Sequence, residues 1–159
     1  MAKLGGKYPA KAIKTLKSTA TRITKFNNRK IDGKGVYTIY VVAMKREGGK
    51  ETELAKSIVG IVAGGKDAKY TNVRSITLKT KTLSVAAGAS AKIKAKTVRV
   101  DKKKKLADKK TKEFRYASSD NSIATVDENG NVTGVKAGTC KVYVYSKNGL
   151  AKAVSVTVK

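Results

Sequence analysis

Thr139-Cys140-Lys141-Val142-Tyr143-Val144-Tyr145-Ser146, then Asn148-Gly149, then Leu150-Ala-Lys-Ala-Val154-Ser-Val156-Thr-Val158, is the stretch on which the fold turns. Successive side chains of a strand point to opposite faces. Cys140, Val142 and Val144 therefore face one way, and Lys141, Tyr143 and Tyr145 the other. On the return, Val154, Val156 and Val158 alternate with Ala153, Ser155 and Thr157. Each strand has one apolar and one wet face, the pattern of an antiparallel pair packed on one side. Asn148-Gly149 suits the positive φ of the hairpin turn between them.

Upstream the same signature recurs in Val73 to Lys79, Thr82 to Ala86, Ala91 to Val100, Phe114 to Ser118, Ile123 to Asp127 and Asn131 to Val135. A second turn pair, Asn129-Gly130, separates the last two. Together these runs predict an antiparallel β-sandwich of about seven strands. Farther upstream, Val36-Tyr37-Thr38-Ile39-Tyr40-Val41-Val42-Ala43-Met44 is apolar on both faces and reads as a central, doubly covered strand. Gly48-Gly49 turns it, and residues 53–63 return as the second arm of a hairpin. Residues 64–72 lack apolar periodicity and read as a linker, which sets the expected organisation at 1–63, 64–72 and 73–159. Near the start, Ala10, Ile13, Leu16, Ala20 and Ile23 recur at helical spacing. Thr15, Thr19, Thr21 and Thr24 oppose a helix, and two short strands at 11–17 and 20–26 are the preferred reading.

The chain has 159 residues, with 36 Lys+Arg against 11 Asp+Glu, a net charge of +25. Histidine is absent, which removes Ser-His-Asp and Cys-His nucleophile systems and most zinc sites. Cys140 has no partner within the chain, so no disulfide framework stabilises the fold. No run approaches the roughly 18 apolar residues of a membrane span. Met1-Ala-Lys-Leu-Gly-Gly6 carries charge without a following apolar segment, so it does not read as a secretory signal.

Several ordered submotifs carry a resemblance. They are Ser75-Ile-Thr-Leu, Leu83-Ser-Val-Ala-Ala-Gly88, Tyr116-Ala-Ser-Ser-Asp120, Ile123-Ala-Thr-Val126, Asn129-Gly-Asn-Val-Thr-Gly134 and Lys136-Ala-Gly-Thr139. Residues 73–159 resemble the bacterial Ig-like domain of group 2 nearly end to end. Two departures stand out: Tyr116 stands where that family usually has tryptophan, and a lysine-rich insertion at about 101–112 lengthens the preceding loop. A tyrosine fills such a site if its hydroxyl finds a partner. Residues 8–63 are similar to the later strands of a fibronectin type III domain, with Gly35-Val-Tyr37-Thr-Ile39-Tyr-Val41-Val-Ala43 as its penultimate strand. Tyr37 would then be the tyrosine-corner residue. The fold class these resemblances imply is all-β: an Ig-like antiparallel sandwich preceded by a partial fibronectin-III-like β domain. They imply a piece of a long exported protein at the surface of a Gram-positive bacterium, its opening strands lying outside this chain. An incomplete sandwich exposes edges and apolar surface, so self-association through that half is expected.

Motifs for chemistry are weak. Gly60-Ile-Val-Ala-Gly-Gly65-Lys66 is followed by Asp67 where a P-loop needs Ser or Thr, and no helix is predicted after it. Asp127-Glu-Asn129-Gly-Asn131 opens like a calcium loop, then fails at Val132 and lacks a later glutamate. Asp101, Asp108 and Glu113 lie among lysines that keep them ionised, the opposite of a tuned acid. Cys140 reads as core. No catalytic residue, cofactor or metal is expected. The one signal above background is Lys102, Lys103, Lys104, Lys105, Lys109, Lys110 and Lys112, read as a solvated, mobile polyanion-binding loop.

The leading expectation is a non-catalytic surface module that spaces or adheres. Its expected partner is anionic cell-wall polymer, carbohydrate or another surface protein. The alternative is a basic protein binding nucleic acid without sequence preference. Scarce arginine argues against specific readout. A hydrolase is the third possibility.

Overall fold

The computed structural model describes residues 1–3, 7, 25–26, 29–108 and 112–159. Among them every regular element is a strand. The first half holds β1 (Ala2–Lys3), β2 (Lys25–Phe26), β3 (Arg29–Lys30), β4 (Val36–Ile39), β5 (Val42–Glu47), β6 (Lys50–Lys56), β7 (Gly60–Ala63) and β8 (Tyr70–Thr71). The second holds β9 (Val73–Leu78), β10 (Thr82–Val85), β11 (Ser90–Lys92), β12 (Ala95–Arg99), β13 (Lys105–Leu106), β14 (Phe114–Ser118), β15 (Ala124–Val126), β16 (Asn131–Gly134), β17 (Gly138–Ser146) and β18 (Ala151–Val158). The expected strand 11–17, and 20–26 apart from Lys25–Phe26, lie outside the described residues.

The hairpin read from the valine alternation forms the centre of one layer. β17 and β18 pair antiparallel with Cys140 opposite Val156 and Val142 opposite Val154. The layer runs β10-β18-β17-β14, with β10 parallel to β18 at its edge. Val142, Val144 and Val154 are fully buried, as the period of two requires. They meet Ile76, Ile93, Ala124 and Val132 from the opposing strands, which pair as β12-β9 and β11-β16-β15. Each such aliphatic side chain contributes roughly 1.5–3 kcal/mol on burial, so this shared cluster is the main favourable contribution to folding. Cys140 belongs to it as a buried free thiol.

Residues 91–100, read as one strand, are two. β11 pairs with β16, whereas β12 pairs with β9. The chain changes neighbours at Ile93-Lys94, where the Ile93 N–H donates to Gly130 and the Lys94 carbonyl accepts from Lys79. Ile93 keeps its side chain in the core through the change.

Residues 36–63 form one long hairpin in two pieces, with Val36 opposite Ala63 and, beyond a break, Val42 opposite Lys56. β4 is central between β1 and β7. The coverage expected for all of 36–44 stops there. β6 is exposed along its whole length, and Met44 and Leu54 are 49% and 63% exposed. The physical reason is that β5 and β6 run past the third strand as a two-stranded ribbon.

Two tyrosines anchor the halves. Tyr37 is buried and its hydroxyl donates to the Asp32 carbonyl at 3.2 Å, the contact a tyrosine corner makes. Gly35 permits it, since a Cβ there would lie 2.9 Å from that hydroxyl. Tyr116 packs against the core cluster and tilts against Phe114, with ring centroids 6.4 Å apart. Its ring covers Gly130, which has φ +80° and would place a Cβ 2.7 Å from the ring. Desolvation, then the charges of Glu113 and Asp127, push its phenol above the ordinary value.

Asp127 organises the neighbouring turn. Its carboxylate accepts from the Asn131 N–H at 2.8 Å, the Asn131 amide at 2.7 Å and the Asn129 N–H at 2.8 Å. These bonds, with Asn131 the largest contributor, hold it below the usual carboxylate range.

Replacing Tyr116 by Ala is expected to cost about 3 kcal/mol, the low end for a large aromatic because the ring is only half-buried. Urea unfolding checks it, and a neutral result would mean the ring does not pack. A lowered carboxylate contributes stability that is complete above the unfolded pKa and is lost as pH falls through the folded one. Asp127→Asn should therefore lower the Tm at neutral pH and flatten the acid side of a Tm against pH curve, with the two proteins converging at low pH.

Candidate functional site: the basic segment and the junction beside it

The lysines singled out in the sequence are placed unequally. Lys102, Lys103, Lys105 and Lys112 are exposed, Lys104 is half-buried, and Lys109 and Lys110 lie outside the described residues. A freely solvated run was expected at 102–112, and over 102–108 the structure corrects this. Lys105–Leu106 pairs in parallel with Tyr70–Thr71, and Ala107 is buried. Lys104 Nζ donates to the Asp67 carbonyl at 2.5 Å and lies 4.0 Å from the Asp101 carboxylate. Arg99 Nη1 donates to the Lys104 carbonyl at 2.7 Å. One carbonyl oxygen and a nearby carboxylate thus take up the Lys104 ammonium, which lowers the cost of half-burying it. Lys112 pairs with Glu128 at 2.7 Å, an exposed contact of little energetic worth.

A second cation was not anticipated. Lys147 is 8% exposed, and its ammonium donates to the carbonyls of Ala107 and Asp108. It ties the basic segment to the β17–β18 turn.

That turn also meets the N-terminal hairpin. The Ile61 N–H donates to the Lys147 carbonyl at 2.6 Å, and the Asn148 amide donates to the Val73 carbonyl at 3.0 Å. Asn72 grips the Ala63 backbone twice, accepting its N–H at 2.8 Å and donating to its carbonyl at 2.7 Å. Arg115 crosses from β14 to donate to the Val59 carbonyl, and to Ser146 at 3.0 Å. Burial lowers its pKa from the ordinary guanidinium value. Its Nε is the one buried side-chain polar atom left unpaired among the described residues. Arginine is the side chain suited to several carbonyls at once, because its donors form a planar fork. The sequence reading passed over it; the signal that could have found it is scarcity, since 6 arginines stand among 30 lysines and this one sits on an outward strand position.

The segment 64–72 is itself bonded. Asp67 is buried and accepts from the N–H groups of Lys69 and Tyr70 at 2.9 and 2.7 Å. The glycine motif Gly60–Lys66 begins as β7 and runs into this turn, with no helix after it among the described residues. A groove of about 440 Å³ lies between hairpin and sandwich, lined by Ile39, Tyr40, Ile58, Ala117, Tyr145 and Asn148 among others. Among the described residues no three or more His, Cys, Asp or Glu converge, and no helix is long and apolar enough to cross a membrane.

Arg115→Met is expected to loosen the junction by about 1–2 kcal/mol, since bonds from a charged donor are lost. Hydrogen exchange at Ile61 and Ala63 reads it. Unchanged protection there would show that the backbone and Asn72 contacts suffice.

The chain is 36% identical over 76 residues to a lacto-N-biosidase of Bifidobacterium bifidum, covering 48% of this chain and 6% of that protein. It is 30% identical over 84 residues to an A type blood N-acetyl-α-D-galactosamine deacetylase of Flavonifractor plautii, covering 53% of this chain and 10% of that protein. The chain thus spans a small fraction of either. Among solved structures, domains 4 and 5 of the S-layer protein SbsC align with a TM-score of 0.45 at 22% identity, covering 63% of this chain and 62% of that one. An intimin mutant of EHEC O157:H7 aligns with a TM-score of 0.36 at 20% identity, covering 46% and 34%. The family model of the bacterial Ig-like domain (group 2) matches residues 72–158, and the chain belongs to that family.

Proposed function

We propose that this chain is a non-catalytic module of a longer exported protein, in which the Ig-like sandwich acts as a spacer and its lysines hold it against anionic polymer of a Gram-positive cell surface. The observation that carries this reading is unpaired positive charge. Against a net +25, the described residues form four ion pairs, three of them with both partners largely exposed. Such an excess raises the local concentration of polyanions. Family membership supports the spacer role, and the small share of two far longer proteins that this chain matches supports a place beside other domains. Both of those proteins are named for glycan chemistry, which supports carbohydrate as a further partner. The proposed organisation is an incomplete fibronectin-III-like unit at 1–63, a connecting segment at 64–72 and the Ig-like domain at 73–159. The Tyr37 corner and the exposed β5–β6 ribbon support an incomplete first unit that self-associates. Within the basic segment, Lys102, Lys103, Lys105 and Lys112 are the proposed contributors, with Lys104 held inward and Lys109 and Lys110 completing the cluster.

Co-sedimentation with purified Gram-positive walls tests the reading. Binding should drop by tenfold or more once the walls' phosphate polymer is stripped, and Lys102→Gln, Lys103→Gln and Lys105→Gln together should weaken it about threefold. Binding indifferent to stripping, or tenfold better competition by duplex DNA than by wall polymer, would overturn it.

A further inference from the structure

Resting on that reading, we propose a defined site for the polymer along β11, the crossing and β12: Lys92, Lys94 and Lys96, with Lys79 beside them just past β9, form a ladder that binds a linear phosphodiester chain with a short polyol repeat. Alternation along this stretch is strict. Lys92, Lys94 and Lys96 are exposed, while Ile93 is 2% exposed and Ala95 is half-buried. The backbone beneath is held throughout: Lys92 pairs with Asn131, Lys96 with Thr77, and the Lys94 carbonyl accepts the Lys79 N–H at 2.9 Å. The ammonium groups therefore stand on fixed points.

Their spacing selects the ligand. Two residues of extended chain contain six backbone bonds and repeat at roughly 7 Å. One three-carbon phosphodiester unit, P–O–C–C–C–O, also contains six, so phosphates along such a chain fall in step with alternate lysines. A nucleic-acid strand shares that repeat, but single-stranded sites gain their affinity by stacking bases on aromatic rings. The exposed neighbours on this face are Thr77 and Val98, and arginine forks for base edges are absent from the ladder. A flexible polyol phosphate is the better fit.

The ladder is also unneutralised. Residues 68–100 contain eight Lys and Arg and no acid, and residues 1–31 contain no acid either. None of the four lysines is in an ion pair among the described residues. Acids of other segments are engaged elsewhere: Glu113 accepts from Thr97, Glu128 pairs with Lys112, and Asp127 is bonded within its turn. Just past the Ala95–Leu78 end of the β12–β9 ladder, the Lys94 carbonyl accepts the Lys79 N–H and the Lys94 N–H donates to the Thr80 hydroxyl at 3.2 Å, which makes the two lysines neighbours. Like charges on neighbouring positions of facing segments repel. A bound phosphate between them removes that repulsion, so the arrangement gives up stability in the free protein for affinity.

Titration with purified poly(glycerol phosphate), measured by calorimetry at several salt concentrations, tests the site. The variant Lys79→Gln, Lys92→Gln, Lys94→Gln, Lys96→Gln should lose affinity tenfold or more and lower the salt slope by about 0.7–0.9 per contact removed. An exposed control with equal charge change, Lys102→Gln, Lys103→Gln, Lys105→Gln, Lys136→Gln, should lose about threefold. Lys94→Gln alone should weaken binding while raising the Tm of the free protein by about 1–2 °C, which shows that the loss is not unfolding. Equal losses in the two quadruple variants would overturn the ladder and leave diffuse attraction standing. Tighter binding of a dT oligonucleotide than of the polyol phosphate would overturn the ligand assignment. No binding of the unaltered protein to the polymer would overturn the surface reading itself.

Discussion

The structure depends on one constraint: a chain with 36 basic side chains, no disulfide and no helix among the described residues must still bury enough apolar surface to fold. Strict alternation in β17 and β18 meets it. Each valine that enters the core leaves its neighbours on the wet face, so Lys141, Tyr143 and Ser155 pair across the same strands that bury Val142 and Val154. Alternation separates charge from core at every step, and the lysine excess is carried without entering the cluster.

Where cations do leave solvent, they meet backbone carbonyls. Lys104 reaches Asp67, Lys147 reaches Ala107 and Asp108, and Arg115 reaches Val59 and Ser146. All three stitch segments far apart in the chain. A carbonyl carries no charge of its own, so these contacts hold the junction while leaving the net charge, and with it the long-range attraction to polyanions, intact. One molecule thus uses lysine in two ways: inward as a clasp, outward as a field.

Legibility differed by element. The β17–β18 hairpin, the turns at Gly130 and Gly149 and the inward Cys140 were readable because a period of two and a positive φ are local properties. The division of 91–100 into β11 and β12 was not, since nothing in the residues themselves says where a strand exchanges one partner for another. Coverage of Met44 failed for a related reason: its apolar character is local, whereas the third strand that would cover it is not. In the basic segment the lysines were found by counting, but counting treated Lys104 and Lys105 alike, although one donates to a carbonyl and the other points to solvent.

Taken alone, the amino-acid order determined the all-β class, the faces of the long strands and the sign of the surface, because each follows from side-chain chemistry within a few neighbouring positions. Tertiary structure decided which lysines are clasps and which stand free, that Arg115 and Asn72 join the two halves, and that the Lys94 carbonyl meets the Lys79 N–H. Those facts depend on which distant carbonyls and strands a side chain meets, and only the closed sandwich sets such meetings.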